Sequence, residues 1–166
     1  MNLPVFPNWY PYNDMLLDGH LQVGAHGVKT RSYDWKYRGP VLLYNSGRTA
    51  HYCVHAYGYP KKAEHRGCVI GVANLEDVRL LTDREWRKME RNFKNLTARQ
   101  WRDQPEKVEV YPYSFGYFFS DIRRFENPVS FKWPAGPVRP IFTRVAPGSP
   151  LGRELIRAGV LRLAER

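Results

Sequence analysis

The sequence predicts an α+β domain built around a curled antiparallel sheet, and three observations carry that prediction. Short apolar runs bounded by Gly, Pro and Asn recur along most of the chain, helical periodicity is confined to two or three stretches, and the strand-like runs mostly follow one another directly. At 166 residues the chain fits one domain, large enough to bury roughly two-thirds of its unfolded surface. A 43% apolar and 25% charged composition without a low-complexity tract reads as globular. Neither an internal repeat nor a shift of composition marks a boundary.

In chain order, residues 1–12 carry Pro4, Pro7 and Pro11 and read as an N-terminal arm. Asn13 is placed to cap a short helix through Leu16 and Leu17 that stops at Gly19. A Gly-punctuated loop covers 19–27. After the break at Gly39-Pro40, Val41, Leu42, Leu43 and Tyr44 read as a buried strand that opens into the polar turn Asn45-Ser46-Gly47. Residues 49–59 fit strand alternation and a helix equally well. Residues 67–75 are apolar at nearly every position, which reads as a central strand, and the alternating run 76–80 continues it.

Thr82-Asp83-Arg84-Glu85 is a capping box, in which the threonine and glutamate side chains each take a free N–H of the other's residue. Downstream, Trp86, Met89 and Phe93 form one apolar stripe, while Arg84, Arg87, Lys88, Arg91 and Lys94 occupy the rest of that helix. A second short helix is expected over 97–103, ended by Pro105, with a return to strand at 108–111. Residues 116–125 and 138–145 complete the β content, with Pro128, Pro134, Pro137 and Pro140 keeping the segment between them to loops or edges. Ser149-Pro150 starts a terminal helix in a C-terminal extension, 146–166.

Charge narrows the partners. Lys and Arg number 26 against 16 Asp and Glu, a net charge of +10, which favours polyanions such as nucleic acid. Eighteen of the cations are Arg, the residue suited to forked phosphate contacts and to stacking on bases. No apolar run is long enough to span a membrane and no secretory leader opens the chain, so membrane contact is not expected and a cytoplasmic location is. Without a secretory signal, the acceptor pattern Asn95-Leu96-Thr97 has no meaning. Cys53 and Cys68, unpaired in any C-x-x-C motif, read as reduced packing residues. His51 and His55 lie four apart with Cys53 and His65 nearby, but such pairs are far more often packing residues than ligands, and neither a metal nor a cofactor is expected.

The densest chemistry lies in Lys29 to Ser46, KTRSYDWKYRGPVLLYNS. Lys29, Arg31, Lys36 and Arg38 stand against one carboxylate, Asp34, with Tyr33, Trp35 and Tyr37 among them. Cations hold a phosphate chain and flat rings accept stacked bases. Trp133, in the Pro- and Gly-rich segment after Phe131, is a further candidate wall, and Lys132 belongs to a second basic stretch, 123–144, with five cations and one acid.

Residues 31–46 resemble the ASCH family of the PUA-like superfamily, whose run of an arginine strand, a K-Y-R-G-P turn and an aliphatic strand ending in a small polar residue they match. The order and spacing of 67–82 and the blocks Tyr117-Phe118-Phe119-Ser120-Asp121-Ile122 and Asn127-Pro128-Val129 extend the resemblance over about 13–142. It implies a small, curled antiparallel PUA-like β-barrel domain over 13–145 with two to four flanking helices. It also implies a cleft between the first helix, the following loop and the barrel mouth that holds RNA or a modified nucleobase. Some relatives hydrolyse an acylated cytidine and others are metal-dependent ribonucleases.

On this reading the partner is RNA, another single-stranded nucleic acid or a modified nucleoside. Tyr33, Tyr37 and Trp133 stack, Lys29, Arg31, Lys36 and Arg38 meet phosphate, Asn45 and Ser46 bond a base edge, and Tyr44, Arg48 and Lys132 line the same cleft. An enzyme is the alternative, with Lys29 and Thr30 as catalytic residues. The family's pattern before the turn is G-x-K-T-x-E-x-R. Without a gap His26 takes its lysine position; with a gap Gly27-Val28-Lys29-Thr30 supplies G-x-K-T. No carboxylate lies between Asp18 and Asp34, so a catalytic acid would have to come from elsewhere, such as Glu76 or Glu85. The balance favours binding over catalysis.

Overall fold

The structure, a computed structural model, describes residues 1–89, 115–136 and 139–161. Strand β1 (Asn2–Tyr10) leads into helix α1 (Tyr12–Leu17), the two-residue strand β2 (Gln22–Val23), β3 (His26–Arg31) and β4 (Gly39–Thr49). Helix α2 (His51–Tyr57), strand β5 (Cys68–Leu80) and helix α3 (83–89) follow. After the next described residue, 115, come β6 (Phe115–Ser130), β7 (Ile141–Arg144) and helix α4 (Pro150–Arg157). The expected helix at 97–103, the strand at 108–111 and the outer end of the Trp86 stripe lie outside the described residues.

The fold is α+β, but the sheet is mixed and open. Its seven strands run in the order β2-β3-β6-β5-β4-β1-β7, and β1 lies parallel to β4 while every other pair is antiparallel. This corrects the expectation of a closed antiparallel barrel: β2 and β7 pair with one neighbour each among the described residues. Much of the curl comes from bulges, where β5 shifts register against β6 at three places and β4 against β5 between Leu43 and Tyr44.

The N-terminal arm is corrected as well, because residues 2–10 form a strand inside the sheet. Val5 and Phe6 are fully buried on opposite faces, and that burial outweighs the proline content. β7 covers only Asn2 to Val5, so beyond it β1 is an edge where Pro7 loses no ladder bond, and the Pro7 carbonyl accepts from Arg31 Nη2 instead. The C-terminal segment is likewise no appendage. Leu151 and Leu155 of α4 pack into the same core as Leu42, Tyr44, Val72 and Phe125.

The sheet therefore has a core on each face. One holds Phe6, Val41, Leu43, Leu75, Tyr117 and Phe119 under Met15 and Leu16 of α1 and Cys53 of α2; the other holds Val5, Leu42, Tyr44, Val69 and Val72 under α4. The ambiguous stretch 49–59 is helical. The capping box forms as predicted, with Glu85 N donating to Thr82 Oγ1 at 3.3 Å and Thr82 N to Glu85 Oε2 at 2.9 Å. Asn13 does not cap α1, whose N-cap position is Pro11 with no side-chain bond; its side chain turns inward.

Candidate functional site

Beneath α1, which packs on β1, β4 and β6, the structure gathers polar side chains that a core would ordinarily exclude. Asn8 ends the buried run of β1, Asn13 lies in the first turn of α1, and Asn45 follows the apolar stretch of β4; all three are at most 1% exposed. Asn8 and Asn45 are register partners in the parallel β1–β4 pair, so their side chains share a face.

Hydrogen bonds from charged groups fix how these amides point. Arg31 can only donate, and its Nη2 bonds Asn8 Oδ1. Asn8 therefore donates through Nδ2 to Asn13 Oδ1 at 2.6 Å, which leaves Asn13 Nδ2 without a protein partner. From the other side, the Asp14 carboxylate accepts from Asn45 Nδ2 at 3.0 Å, which leaves Asn45 Oδ1 without one. One buried donor and one buried acceptor result, each worth about 1–3 kcal/mol of desolvation when unmet. Asp14 is held in turn by Arg124, which also reaches Asp18, and Asp18 accepts from the Tyr59 hydroxyl at 2.6 Å. That network fixes α1 to the sheet.

Lys29 closes the group. Its Nζ lies 3.2 Å from the centre of the Tyr12 ring, and burial first, then the neighbouring Arg31 charge, brings its pKa down from 10.5 to about 7. Arg31 stacks 4.9 Å from the Phe6 ring. Thr30, between them in β3, points to the other side by strand alternation. Neither acid that might have served Lys29 is directed to it. Glu76 Oε2 lies 2.7 Å from His26 Nε2 and its Oε1 accepts from Ser120, while Glu85 is gripped by both Arg79 donors at 2.8 and 2.6 Å.

The remaining residues singled out in the sequence disperse. Tyr33, Trp35 and Tyr37 face inward while Ser32, Asp34, Lys36 and Arg38 face outward. Trp35 stacks on Tyr37 at 5.0 Å and on Phe6 at 6.3 Å, and the Tyr33 carbonyl accepts from the Tyr117 hydroxyl at 2.7 Å. Arg38 is a clasp, donating to the carbonyls of Trp35, Tyr37 and Val78 at 2.7, 2.8 and 3.2 Å. The turn itself needs Gly39, at φ 122°, against which Tyr37 packs while its hydroxyl reaches Pro40 O at 2.8 Å. Lys36 pairs with Asp34. Tyr44 stacks on Trp133 at 5.0 Å in the core under α4, the opposite face from Lys29 and Asn45. Ser46 and Arg48 lie at the end of β4, where Arg48 covers the Trp9 ring at 5.4 Å, and Lys132 is exposed.

Of the residues singled out in the sequence, Lys29, Arg31 and Asn45 lie in this cluster, together with Asn8, Asn13, Tyr12 and Asp14, which the sequence reading did not place in the cleft. A signal existed for Asn8, which shares the parity of buried Phe6 and Tyr10. Among the described residues no group of three His, Cys, Asp or Glu side chains could hold a metal ion, and no helix is long and apolar enough to cross a membrane.

Fold and site together define an open, mixed-sheet α+β protein with a polarised amide cluster buried under its first helix. No protein-family model and no curated protein matches the chain. Among solved structures it is similar to ASCH from Zymomonas mobilis, at 14% identity over 93% of each chain with a TM-score of 0.46. It is also similar to two point mutants of that protein, each 18% identical, covering 76% of this chain and 74% or 72% of theirs, with TM-scores of 0.42 and 0.43.

Proposed function

We propose that this protein binds RNA or a modified nucleobase, and that the base is read by the amide cluster beneath α1. The observation that carries the reading is the buried donor of Asn13 and the buried acceptor of Asn45, each left over by a chain of bonds that ends on a charge. The Watson–Crick edge of every nucleobase offers an acceptor and a donor side by side, and desolvated polar groups discriminate strongly when such an edge meets them. Arg31 on Phe6 supplies positive charge at the same place, beside Lys29 on Tyr12, and the net charge of +10 draws a polyanion to it.

The test is titration of nucleosides, nucleotides and short RNA against the protein and its Asn13→Leu and Asn45→Leu variants. Each substitution should weaken binding by tenfold or more while the salt dependence, which reports phosphate contacts, stays put. Equal affinity of both variants and wild type for every ligand bound would refute the reading.

A second reading, a small hydrolase, is favoured by the burial of the Lys29 amine against the Tyr12 ring, which brings its pKa down to about 7. A large share of it is unprotonated at neutral pH and able to act as base or nucleophile. Turnover of an acylated cytidine that vanishes in Lys29→Ala would establish it. Inert behaviour across acylated nucleosides and single-stranded RNA leaves binding as the function.

A further inference from the structure

The end of the β1–β4 pair carries a surface that the amide cluster does not use. Trp9, 41% exposed, alternates to the opposite side from Asn8, and the Arg48 guanidinium lies 5.4 Å from its ring centre. Arg66 Nη2 lies 3.9 Å from where a Gly47 side chain would begin, and Gly67 N donates to Asn45 O at 2.8 Å. Lys61 and Lys62 follow Pro60, whose carbonyl takes the Tyr10 hydroxyl at 2.9 Å. Tyr10 shares the side of Asn8, so this loop is tied to the same end of the sheet across the strand from Trp9.

Charge is unbalanced in this stretch. From Ser46 to Gly67 the chain has four cations, Arg48, Lys61, Lys62 and Arg66, and one acid, Glu64. That acid lies 3.8 Å from His65. Arg38, Arg79, Arg124 and Arg157 are all bound to carboxylates, whereas none of the four cations here has an ion-pair partner among the described residues. An exposed indole with a guanidinium on it is a platform for a flat ring, and unpaired cations around it suit a repeating phosphate.

We propose that this end of the sheet is a docking surface for a single-stranded polynucleotide, with a base stacked on Trp9, its phosphate on Arg48, and the chain running over the end of the sheet toward Arg66, Lys61 and Lys62. The inference rests on the proposed function for its class of ligand and extends it from one base to a chain. A membrane surface fits less well, since the patch carries one exposed aromatic and no apolar face around it to insert.

The experiment measures anisotropy of labelled ten-nucleotide RNA and DNA, and of a ten-residue abasic strand, from low to moderate salt. Against the base-bearing strands Trp9→Ala should weaken binding about tenfold or more and Trp9→Phe should recover most of the loss. Against the abasic strand both should bind as wild type. Arg48→Ala combined with Arg66→Ala should flatten the log K against log salt slope by about 1.4, two contacts at about 0.7 each. RNA and DNA should respond alike, because the surface meets phosphates and ring faces. Unchanged affinity and slope in these variants overturn the proposal, as does equal binding of polyglutamate or of anionic vesicles that the same variants abolish. Loss of oligonucleotide binding in Asn45→Leu but not in Trp9→Ala would remove this surface and keep the base site. The reverse pattern would keep the surface and remove the base site.

Discussion

Lys29 offers a test of the buried site that needs no ligand. Its ammonium rests on Tyr12, with burial and the Arg31 charge bringing the pKa from 10.5 to about 7. Between those values the unfolded chain keeps the proton that the folded chain sheds. Unfolding therefore takes up a proton, and stability rises with pH across the window. From pH 7 to pH 9 the gain should be about 2 kcal/mol, somewhat less than two full units at about 1.4 kcal/mol each because Lys29 is already half titrated at the start. For a domain of this length that corresponds to roughly 4–8 °C in melting temperature.

The shifted tyrosines and glutamates titrate outside this window. Burial raises the Tyr57 hydroxyl to about 12, and Tyr59 and Tyr117 are raised as well. Their contribution is whole below pH 10 and is lost only above it. Glu85, held at about 2 chiefly by Arg79, and Glu76, lowered chiefly by Ser120, change only in acid. Chemical denaturation of wild type and Lys29→Met at half-unit steps of pH reads the slope directly. Wild type should climb while Lys29→Met stays flat, and parallel curves would refute the desolvated lysine.

Two further outcomes concern the frame of the site. Glu154, 3% exposed, accepts from Glu126 N at 3.0 Å, Asn127 N at 3.3 Å and Asn127 Nδ2 at 3.1 Å. Burial raises its pKa, but these bonds and Arg157 outweigh that and the carboxyl stays below its ordinary range. Glu154→Ala strands those donors and should lower stability by about 3 kcal/mol in urea titration; a loss under 1 kcal/mol would mean that water replaces the carboxylate. Thr82→Ala removes one half of the capping box and should cost about 1 kcal/mol in the same measurement, with a null effect showing that the helix at 83 is fixed by packing alone.

What could be read from the sequence was local. The capping box needs four consecutive residues, and β5 announces itself by an apolar run whose burial on both faces requires no knowledge of its neighbours. β1 was illegible because proline content argues against a strand, and only the position of β7, distant in sequence, makes part of β1 an edge. Tyr33, Trp35 and Tyr37 illustrate a different limit. Their period of two says they share a side, but rings covering a core and rings awaiting a base have the same spacing, and Phe6 and Tyr117 decide between them.

The same reasoning explains why one cleft in the sequence becomes two places in space. Tyr44 and Asn45 are adjacent in a strand, so their side chains part, Tyr44 to Trp133 and Asn45 to Asp14. Asn8 and Trp9 part in the same way on the neighbouring strand. Because β1 and β4 run parallel with Asn8 opposite Asn45, both partings occur at one level of the sheet. The polar amides collect beneath α1, and Trp9 and Arg48 collect at the exposed end. A parallel pair is what aligns them: in an antiparallel pair the two strands would end at opposite edges, and the buried amides and the exposed indole would lie a strand length apart.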